Sequence, residues 1–302
     1  MEESVSGQKP PMAHAPPDLL AAHWLLAGQR PTADPMPCPI PLTERVRAAQ
    51  QAGFAGIGLI EPELVDAVGL HGVVGLRTLL ADHDMRYLEI EALTGWWRDD
   101  DGWRRSLDIM LDLGGQLGAR ILKATGDFAA EPASASHMAD RFAVVVERAR
   151  GSGVVLALEI IAFSNIADIP SALAVLGDCR GEEAGLMLDS WHFARRSLPL
   201  PPIAGLPKSR IAGVEISDVA AGTPDDLFTD TVDHRQVPGE GAYDLQAFLR
   251  AVAQTGYDGP VGLEVLSAQL RDDSLNFALK RCADGARAIM AGGALNLSAI
   301  LQ

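Results

Sequence analysis

The sequence has few cysteines, and none of them is paired by its spacing. Its 302 residues include three, Cys38, Cys179 and Cys282, and no two stand in a Cys-x-x-Cys or Cys-x-x-His arrangement. This argues against a zinc ribbon and against a disulfide framework, which need close spacing or an even number of cysteines. Reduced thiols are typical of a reducing compartment, so we expect a cytoplasmic location.

Positive charge and long apolar runs are also scarce. The chain has 25 Lys and Arg against 40 Asp and Glu, so its formal net charge at pH 7 is −15. Because binding to a phosphate backbone depends on clustered basic side chains, we expect no nucleic-acid partner. No uninterrupted apolar run reaches the roughly 18 residues of a membrane span, so we expect no membrane association. No P-loop or strand-linked Gly-x-Gly-x-x-Gly indicates a nucleotide cofactor.

What the chain does have is a repeated pattern of a short apolar run, a polar loop and a longer helical segment. The eight runs are residues 19–24, 56–60, 87–90, 119–122, 154–158, 185–188, 211–214 and 260–263. Near-continuous apolarity is typical of parallel strands buried on both faces, and glycine turns close several of the helices. The pattern predicts an α/β protein, a single-domain (β/α)8 TIM barrel, with an open doubly wound sheet as the alternative.

We expect the barrel to occupy residues 18–292. The Pro- and Ala-rich stretch 1–17 lacks the apolar run of a signal peptide and is expected to be a disordered leader. Residues 293–302 are expected to form a C-terminal tail outside the barrel. Two segments with several turn-forming residues, 198–207 and 220–241, are expected to be loops.

Four of the later apolar runs end in an acid: Glu159, Asp189, Glu215 and Glu264. In a barrel the C-terminal ends of all strands meet at one mouth, where the active sites of this fold lie. Four carboxylates there repel one another unless they are protonated or bridged by a cation. One acid after a strand is often only a helix cap, but four in succession indicate a site for Mg²⁺ or Mn²⁺, which prefer oxygen ligands.

Several segments resemble the xylose-isomerase-like barrels, in particular the sugar phosphate isomerase/epimerase family. The matching pieces are residues 53–59, 158–159, 188–192, 214–218, 235–241 and 256–264, among them an Asp-x-x-His and a Pro-Gly-Glu-Gly motif. The resemblance implies a metal ligand at each of the four acids. Many relatives carry His or Gln where this chain has Glu215, and a carboxylate there makes zinc less favourable than Mg²⁺ or Mn²⁺.

Four further polar residues near the strand ends are candidates for chemistry. His192 follows Asp189 by three residues, and the resemblance implies that it contacts substrate hydroxyls or serves as an acid; capping of the next helix is the alternative. Lys123 could stabilise a developing oxyanion or be a solvated lysine. Glu91 has similar standing, and His23 is a weaker candidate.

Two residue types in the loops could contact a substrate. Trp96 and Trp97 could form a pocket wall for the apolar face of a sugar, or they could belong to the core or to an interface, which would make a homodimer plausible. Arg235 precedes the Pro-Gly-Glu-Gly motif and could bind a phosphate or carboxylate, with a salt bridge inside the loop as the alternative.

These features lead to a hypothesis of function with two alternatives. The hypothesis is a divalent-metal-dependent isomerase or epimerase that acts on a sugar, sugar phosphate or related polyol through an enediolate. Glu159 and Glu264 would exchange the carbon-bound proton, helped by Lys123 and His192. One alternative is a metal-dependent lyase of the 3-dehydroshikimate dehydratase type, which shares the opening step and uses an acid such as His192. The other is a non-catalytic accessory barrel subunit.

Overall fold

Of the ten strands among the described residues, eight close into a parallel barrel. The computed structural model describes residues 16–31, 38–179 and 181–300. In chain order the strands are β1 (Leu19–Ala21), β2 (Gly56–Ile60), β3 (Tyr87–Leu93), β4 (Ile121–Ala124), β5 (Val155–Glu159), β6 (Ala184–Asp189), β7 (Ile211–Ile216), β8 (Asp218–Val219), β9 (Arg235–Gln236) and β10 (Val261–Leu263). Strands β1 to β7 pair in sequence order, β10 closes the barrel between β7 and β1, and β8 with β9 forms a separate antiparallel ribbon.

Helices connect the strands and cover the outside of the barrel. They are α1 (His23–Ala27), α2 (Leu42–Ala52), α3 (Glu61–Asp82), α4 (Gly102–Leu117), α5 (Ala135–Ala149), α6 (Ile169–Leu176), α7 (Ser190–Arg195), α8 (Pro201–Ala204), α9 (Leu227–Asp233), α10 (Leu245–Gln254), α11 (Ala268–Asp272) and α12 (Leu275–Ile300). Their ends carry local signals: Asp168 and Ser171 form a capping box on α6, and Gly53 closes α2 at φ 81°, a conformation that favours glycine.

The predicted (β/α)8 barrel is confirmed, because every apolar run contributes one barrel strand. The two segments expected to be loops are not wholly irregular, since α8 lies in the first, and the second contains α9 and β9. Most of the expected leader, residues 1–15, lies outside the described residues. The expected tail overlaps α12, which runs through Ile300, and residues 301–302 lie outside the described range. The boundaries at residues 18 and 292 stay predictions.

Helix α3 is long and apolar enough, by length and composition alone, to cross a membrane. Its 22 residues are interrupted at Gly72, whose φ of 65° and ψ of 163° are not helical. Each part is therefore shorter than the roughly 20 residues that a membrane-spanning helix needs. The helix follows β2 and packs beside α4 in the outer layer, so we assign it to the barrel.

The side chains of each strand alternate between the barrel interior and the surrounding helices. Ile121, Ala157 and Met187, on three adjacent strands, form a small interior cluster separate from the main core. The residue two positions further along each strand points to the same side, nearer the C-terminal mouth. These residues are Lys123, Glu159 and Asp189, so the strand alternation itself places charged groups in one layer at the mouth.

Candidate active site

The four acids that the sequence singled out lie together at the barrel mouth. Glu159 and Asp189 end β5 and β6, Glu215 lies in β7, and Glu264 follows β10. Each offers one carboxylate oxygen, and these oxygens all lie within 4.8 Å of one another. All four side chains are buried. Carboxylate oxygens at this spacing are the donor set that a hard divalent cation prefers, so the residues fit Mg²⁺ or Mn²⁺.

Lys123 of β4 lies inside the carboxylate cluster. Its Nζ donates to both oxygens of Glu215, at 2.9 and 3.1 Å, and to Oε1 of Glu264 at 3.1 Å. Oε2 of Glu91 lies 3.2 Å from the same ammonium group. An ammonium group has three N–H donors, and three carboxylates surround this one. Lys123 is therefore engaged with the protein's own acids and is not a solvated lysine.

Arg235 is the second cation of the cluster. Its Nη1 donates to Oδ2 of Asp189 at 2.7 Å, and its Nη2 lies 3.0 Å from Oε2 of Glu264. Thr231 accepts from the other side of the guanidinium group, and the Trp191 ring lies 5.1 Å from its central carbon. Arg235 thus forms salt bridges with acids at the barrel mouth and not, as the alternative expected, inside its own loop. A contact between Arg235 and substrate stays a prediction.

These ion pairs set the protonation of the cluster. Burial lowers the pKa of Lys123, but Glu215, Glu264 and Glu91 outweigh it and raise this pKa well above its usual value. Burial alone would raise the pKa of Glu264, whereas Lys123 and Arg235 hold it down to about 2. The pKa of Glu91 is raised to about 7, because burial outweighs the attraction of Lys123. Lys123 is therefore charged and Glu264 ionised at neutral pH.

His192 lies beside the two acids that Lys123 does not bind. Its Nε2 is 3.7 Å from Oε1 of Glu159 and 3.6 Å from Oδ2 of Asp189. Its Nδ1 accepts the main-chain N–H of Ala162 at 3.2 Å. A neutral ring whose Nδ1 is an acceptor carries its proton on Nε2, so this nitrogen is a donor and not a metal ligand. This geometry favours the set of four carboxylates over a set that includes His192.

Glycines leave room for the cluster. A Cβ at Gly262 would lie 2.7 Å from Cγ of Glu215, and a Cβ at Gly58 would lie 2.1 Å from Oε1 of Glu91. Both distances are below van der Waals contact, so any side chain at either position displaces an acid. The same oxygen of Glu91 accepts the main-chain N–H of His23 at 3.0 Å, which fixes this carboxylate on one side.

Three aromatic candidates lie in the interior. Trp96 is fully buried, its Nε1 donates to the carbonyl oxygen of Thr125 at 2.8 Å, and it packs edge-on against Trp97 and Phe142. The core alternative therefore describes the tryptophan pair, which forms no exposed apolar patch. His23 is also fully buried, and burial, with help from Arg45 and Lys123, lowers its pKa to about 3.

Sequence reasoning missed two parts of the site. Asp218 accepts the main-chain N–H groups of Val219, Gly239 and Tyr243, so it holds the Pro-Gly-Glu-Gly turn next to the mouth. The Phe163 ring lies 6.0 Å from the His192 ring and contributes an aromatic wall. Asp218 was visible in a matching motif but had no assigned role. Phe163 lies in a loop, and no signal in the sequence marked it.

Comparisons with known proteins agree with this fold. A 3-dehydroshikimate dehydratase from Pseudomonas aeruginosa is 29% identical over 243 residues, which are 76% of this chain and 37% of the dehydratase. A ketose 3-epimerase from Arthrobacter globiformis is 24% identical over 74% of this chain and 78% of its own length. The chain thus spans less than half the length of the dehydratase that it matches.

Structure comparison supports the same fold. The crystal structure of the IOLI protein with a bound zinc atom superposes with a TM-score of 0.78, covering 91% of this chain and 98% of that one at 18% identity. At this identity the likeness concerns the fold alone. The sequence model of the xylose isomerase-like TIM barrels matches residues 46–283. The chain therefore belongs to the xylose isomerase-like TIM barrel family.

Proposed function

We propose that the protein is a divalent-metal-dependent isomerase or epimerase that removes a proton next to the carbonyl group of a sugar, sugar phosphate or related polyol. The observation that supports this proposal is that the four acids are unequally paired with cationic side chains. Lys123 and Arg235 between them bind Glu215, Glu264 and Asp189. Among the described residues, no Lys or Arg nitrogen lies within 4.0 Å of Glu159, whose one ion-pair neighbour is the His192 ring. Glu159 is thus the acid most available to accept a proton.

The metal would be held by Glu159, Asp189, Glu215 and Glu264, whose oxygens lie within 4.8 Å of one another. A bound divalent ion supplies a Lewis acid for the carbonyl oxygen and the adjacent hydroxyl. Burial raises the pKa of Glu215 well above its usual value, and a divalent cation at the same oxygens would favour the ionised form of this acid.

Glu264 suits ligation better than proton transfer. Its two carboxylate oxygens face Lys123 and Arg235 at 3.1 and 3.0 Å. A carboxyl group whose pKa is held to about 2 is a weak base and carries no proton at neutral pH. We therefore assign removal and return of the proton to Glu159, and a hydrogen bond to the substrate oxygen to the Nε2–H of His192. The exchange of protons between Glu159 and Glu264 that the sequence predicted stays a prediction, which this proposal replaces.

The test is exchange of the carbon-bound proton with solvent. Purified protein with Mn²⁺ is incubated in D₂O with a panel of ketoses, their phosphates and cyclic polyols carrying a keto group, and exchange is followed by NMR. We expect E159Q to lose exchange by at least a hundredfold while the Tm of the metal-free protein stays near that of the wild type. The matched control is E89Q, because Glu89 is a buried acid of β3 that pairs with Arg120 outside the cluster. Exchange by E159Q at the wild-type rate would remove Glu159 from the mechanism.

A dehydratase is the second candidate, and the position of His192 favours it. An Nε2–H group within 4 Å of Glu159 can hydrogen-bond a leaving hydroxyl while Glu159 passes to it the proton that it removed, so that water leaves. The similarity to the Pseudomonas dehydratase supports the same reaction. Incubation with 3-dehydroshikimate separates the candidates, because loss of water creates a conjugated product that absorbs in the ultraviolet, whereas an isomer keeps the mass of the substrate. H192Q would then keep proton exchange and lose elimination.

We further propose that the protein acts in the cytoplasm on a small carbohydrate-like molecule and forms a homodimer. The three cysteines are free, and the net charge of −15 disfavours nucleic acid. The buried tryptophans do not provide a dimer surface, but α3 exposes Leu70 and Val74. Light scattering after size-exclusion chromatography tests the dimer, and a wild-type mass of one chain would refute it.

A further inference from the structure

The ammonium group of Lys123 lies among the acids that would hold the divalent metal ion. It bridges Glu215 and Glu264, two of the four acids that form the candidate metal site. The lysine is only 2% exposed, so the ion pairs are shielded from water. In such surroundings a positive charge opposes the binding of a second cation to the same oxygens far more strongly than it does at a surface.

The ammonium group of Lys123 also has a hydrogen-bond acceptor outside the four acids, the carboxylate of Glu91. Oε2 of Glu91 lies 3.2 Å from Nζ and has no hydrogen-bond partner. Glu91 is not one of the four acids whose oxygens converge on a single point. Its other oxygen is held by the main-chain N–H of His23, so the carboxylate stays in place while Lys123 shifts. Glu91 thus offers the ammonium group a partner outside the metal-ligand set.

We propose that Lys123 is a positioning residue that holds Glu215 and Glu264 together when no metal is bound, competes with the divalent ion for them, and retreats to Glu91 when the ion binds. This inference rests on the proposed function, because it takes the four acids as the metal site. It assigns Lys123 to control of metal affinity, in place of the oxyanion contact that the sequence predicted. An oxyanion contact would need a free N–H, whereas three carboxylates already surround the ammonium group.

The proposal predicts opposite changes in Mn²⁺ affinity for two substitutions. K123M removes the competing charge, so Mn²⁺ binds at least tenfold more tightly, while the metal-free protein loses Tm because its acids are left without a counter-ion. E91Q weakens the retreat position, so Mn²⁺ binds at least threefold more weakly. K123R keeps the charge and stays within threefold of the wild type. R45M is the matched control for the loss of a buried cation, because Arg45 pairs with Glu63 outside the four acids.

A double-mutant cycle separates the retreat of Lys123 from a simple field effect of Glu91. If Glu91 acts through Lys123, E91Q changes Mn²⁺ affinity much less in the K123M background than in the wild type. An equal change in both backgrounds would refute the retreat. Free Mn²⁺ is measured by electron paramagnetic resonance during titration of the metal-free full-length protein, and Tm is measured by differential scanning calorimetry with and without Mn²⁺.

The outcomes distinguish this inference from the proposed function. Tighter binding by K123M together with a lower metal-free Tm supports the inference even if no substrate of the panel is turned over. Affinity equal to or weaker than that of the wild type overturns it, even if the wild type is an active isomerase. Binding of Mn²⁺ by K123M alone supports competition and contradicts metal dependence of the wild type. Failure of both proteins to bind overturns both proposals.

Discussion

Removal of the Arg235 guanidinium group is expected to destabilise the metal-free protein more than the metal-bound one. In R235M, Oδ2 of Asp189 and Oε2 of Glu264 lose partners that lie 2.7 and 3.0 Å away. Breaking one side of a buried ion pair costs about 3–5 kcal/mol, because the other charge is left without compensation. At about 2–4 °C per kcal/mol for a chain of this size, the Tm of the metal-free protein falls by roughly 6–20 °C.

Saturating Mn²⁺ brings positive charge back to the same two acids, so we expect the loss of Tm in R235M to shrink by at least half. R195M is the matched control, since Arg195 is similarly buried and pairs with Asp230 outside the metal-ligand set. Its loss of Tm should be the same with and without Mn²⁺. Calorimetry of the two variants and the wild type gives all the required values. Equal rescue of R235M and R195M, or rescue of neither, would refute the reasoning.

Three other predictions concern the same mouth. G262A should weaken Mn²⁺ binding about tenfold in a metal titration, because its Cβ would lie 2.7 Å from Cγ of Glu215; unchanged affinity would mean that Glu215 is not a ligand. The pKa of Glu91 rises from its ordinary value of 4.5 to about 7 in the folded protein. At any pH between these two values, the protein therefore takes up a proton when it folds. The metal-free protein should therefore lose up to about 3 kcal/mol of stability from pH 4.5 to 7, and E91Q should flatten this slope in guanidinium unfolding; an unchanged slope would contradict the assignment. F163A should raise KM severalfold with little change in kcat, since its ring lies 6.0 Å from that of His192; a loss confined to kcat would contradict a binding role.

The barrel and its acid cluster were predictable because their signals are local. Each barrel strand contains a short apolar run, and each acid comes at or next to the end of such a run. Once the strands are parallel and closed, their C-terminal ends meet, and Glu159, Asp189 and Glu264 need no further information to be placed together. The identity of the bound ion and of the substrate depends on distances of a few tenths of an ångström, which no local pattern contains.

The segment that carries Arg235 shows what the sequence did not indicate. Residues 220–241 were expected to be a loop because they contain many turn-forming residues. The structure instead has a helix of seven residues and a strand of two in this segment. Asp226 caps α9 by accepting the N–H of Thr229, and β9 pairs with β8. Together they direct Arg235 back over the mouth to Asp189. Elements this short depend on tertiary contacts more than on their own propensity.

The position of Lys123 at the barrel mouth could be predicted from the sequence, but its partners could not. Counting by two from Ile121 places residue 123 in the interior layer, as counting from Ala157 and Met187 places two of the acids. A lysine whose side chain points into a closed layer of acids must pair with those acids, because water is excluded there. Its partners are 92 and 141 residues away in the chain, so only the closed barrel shows that they are Glu215 and Glu264. Strand alternation thus predicts which charges share the mouth, and the closed fold decides which of them are already neutralised before a metal ion arrives.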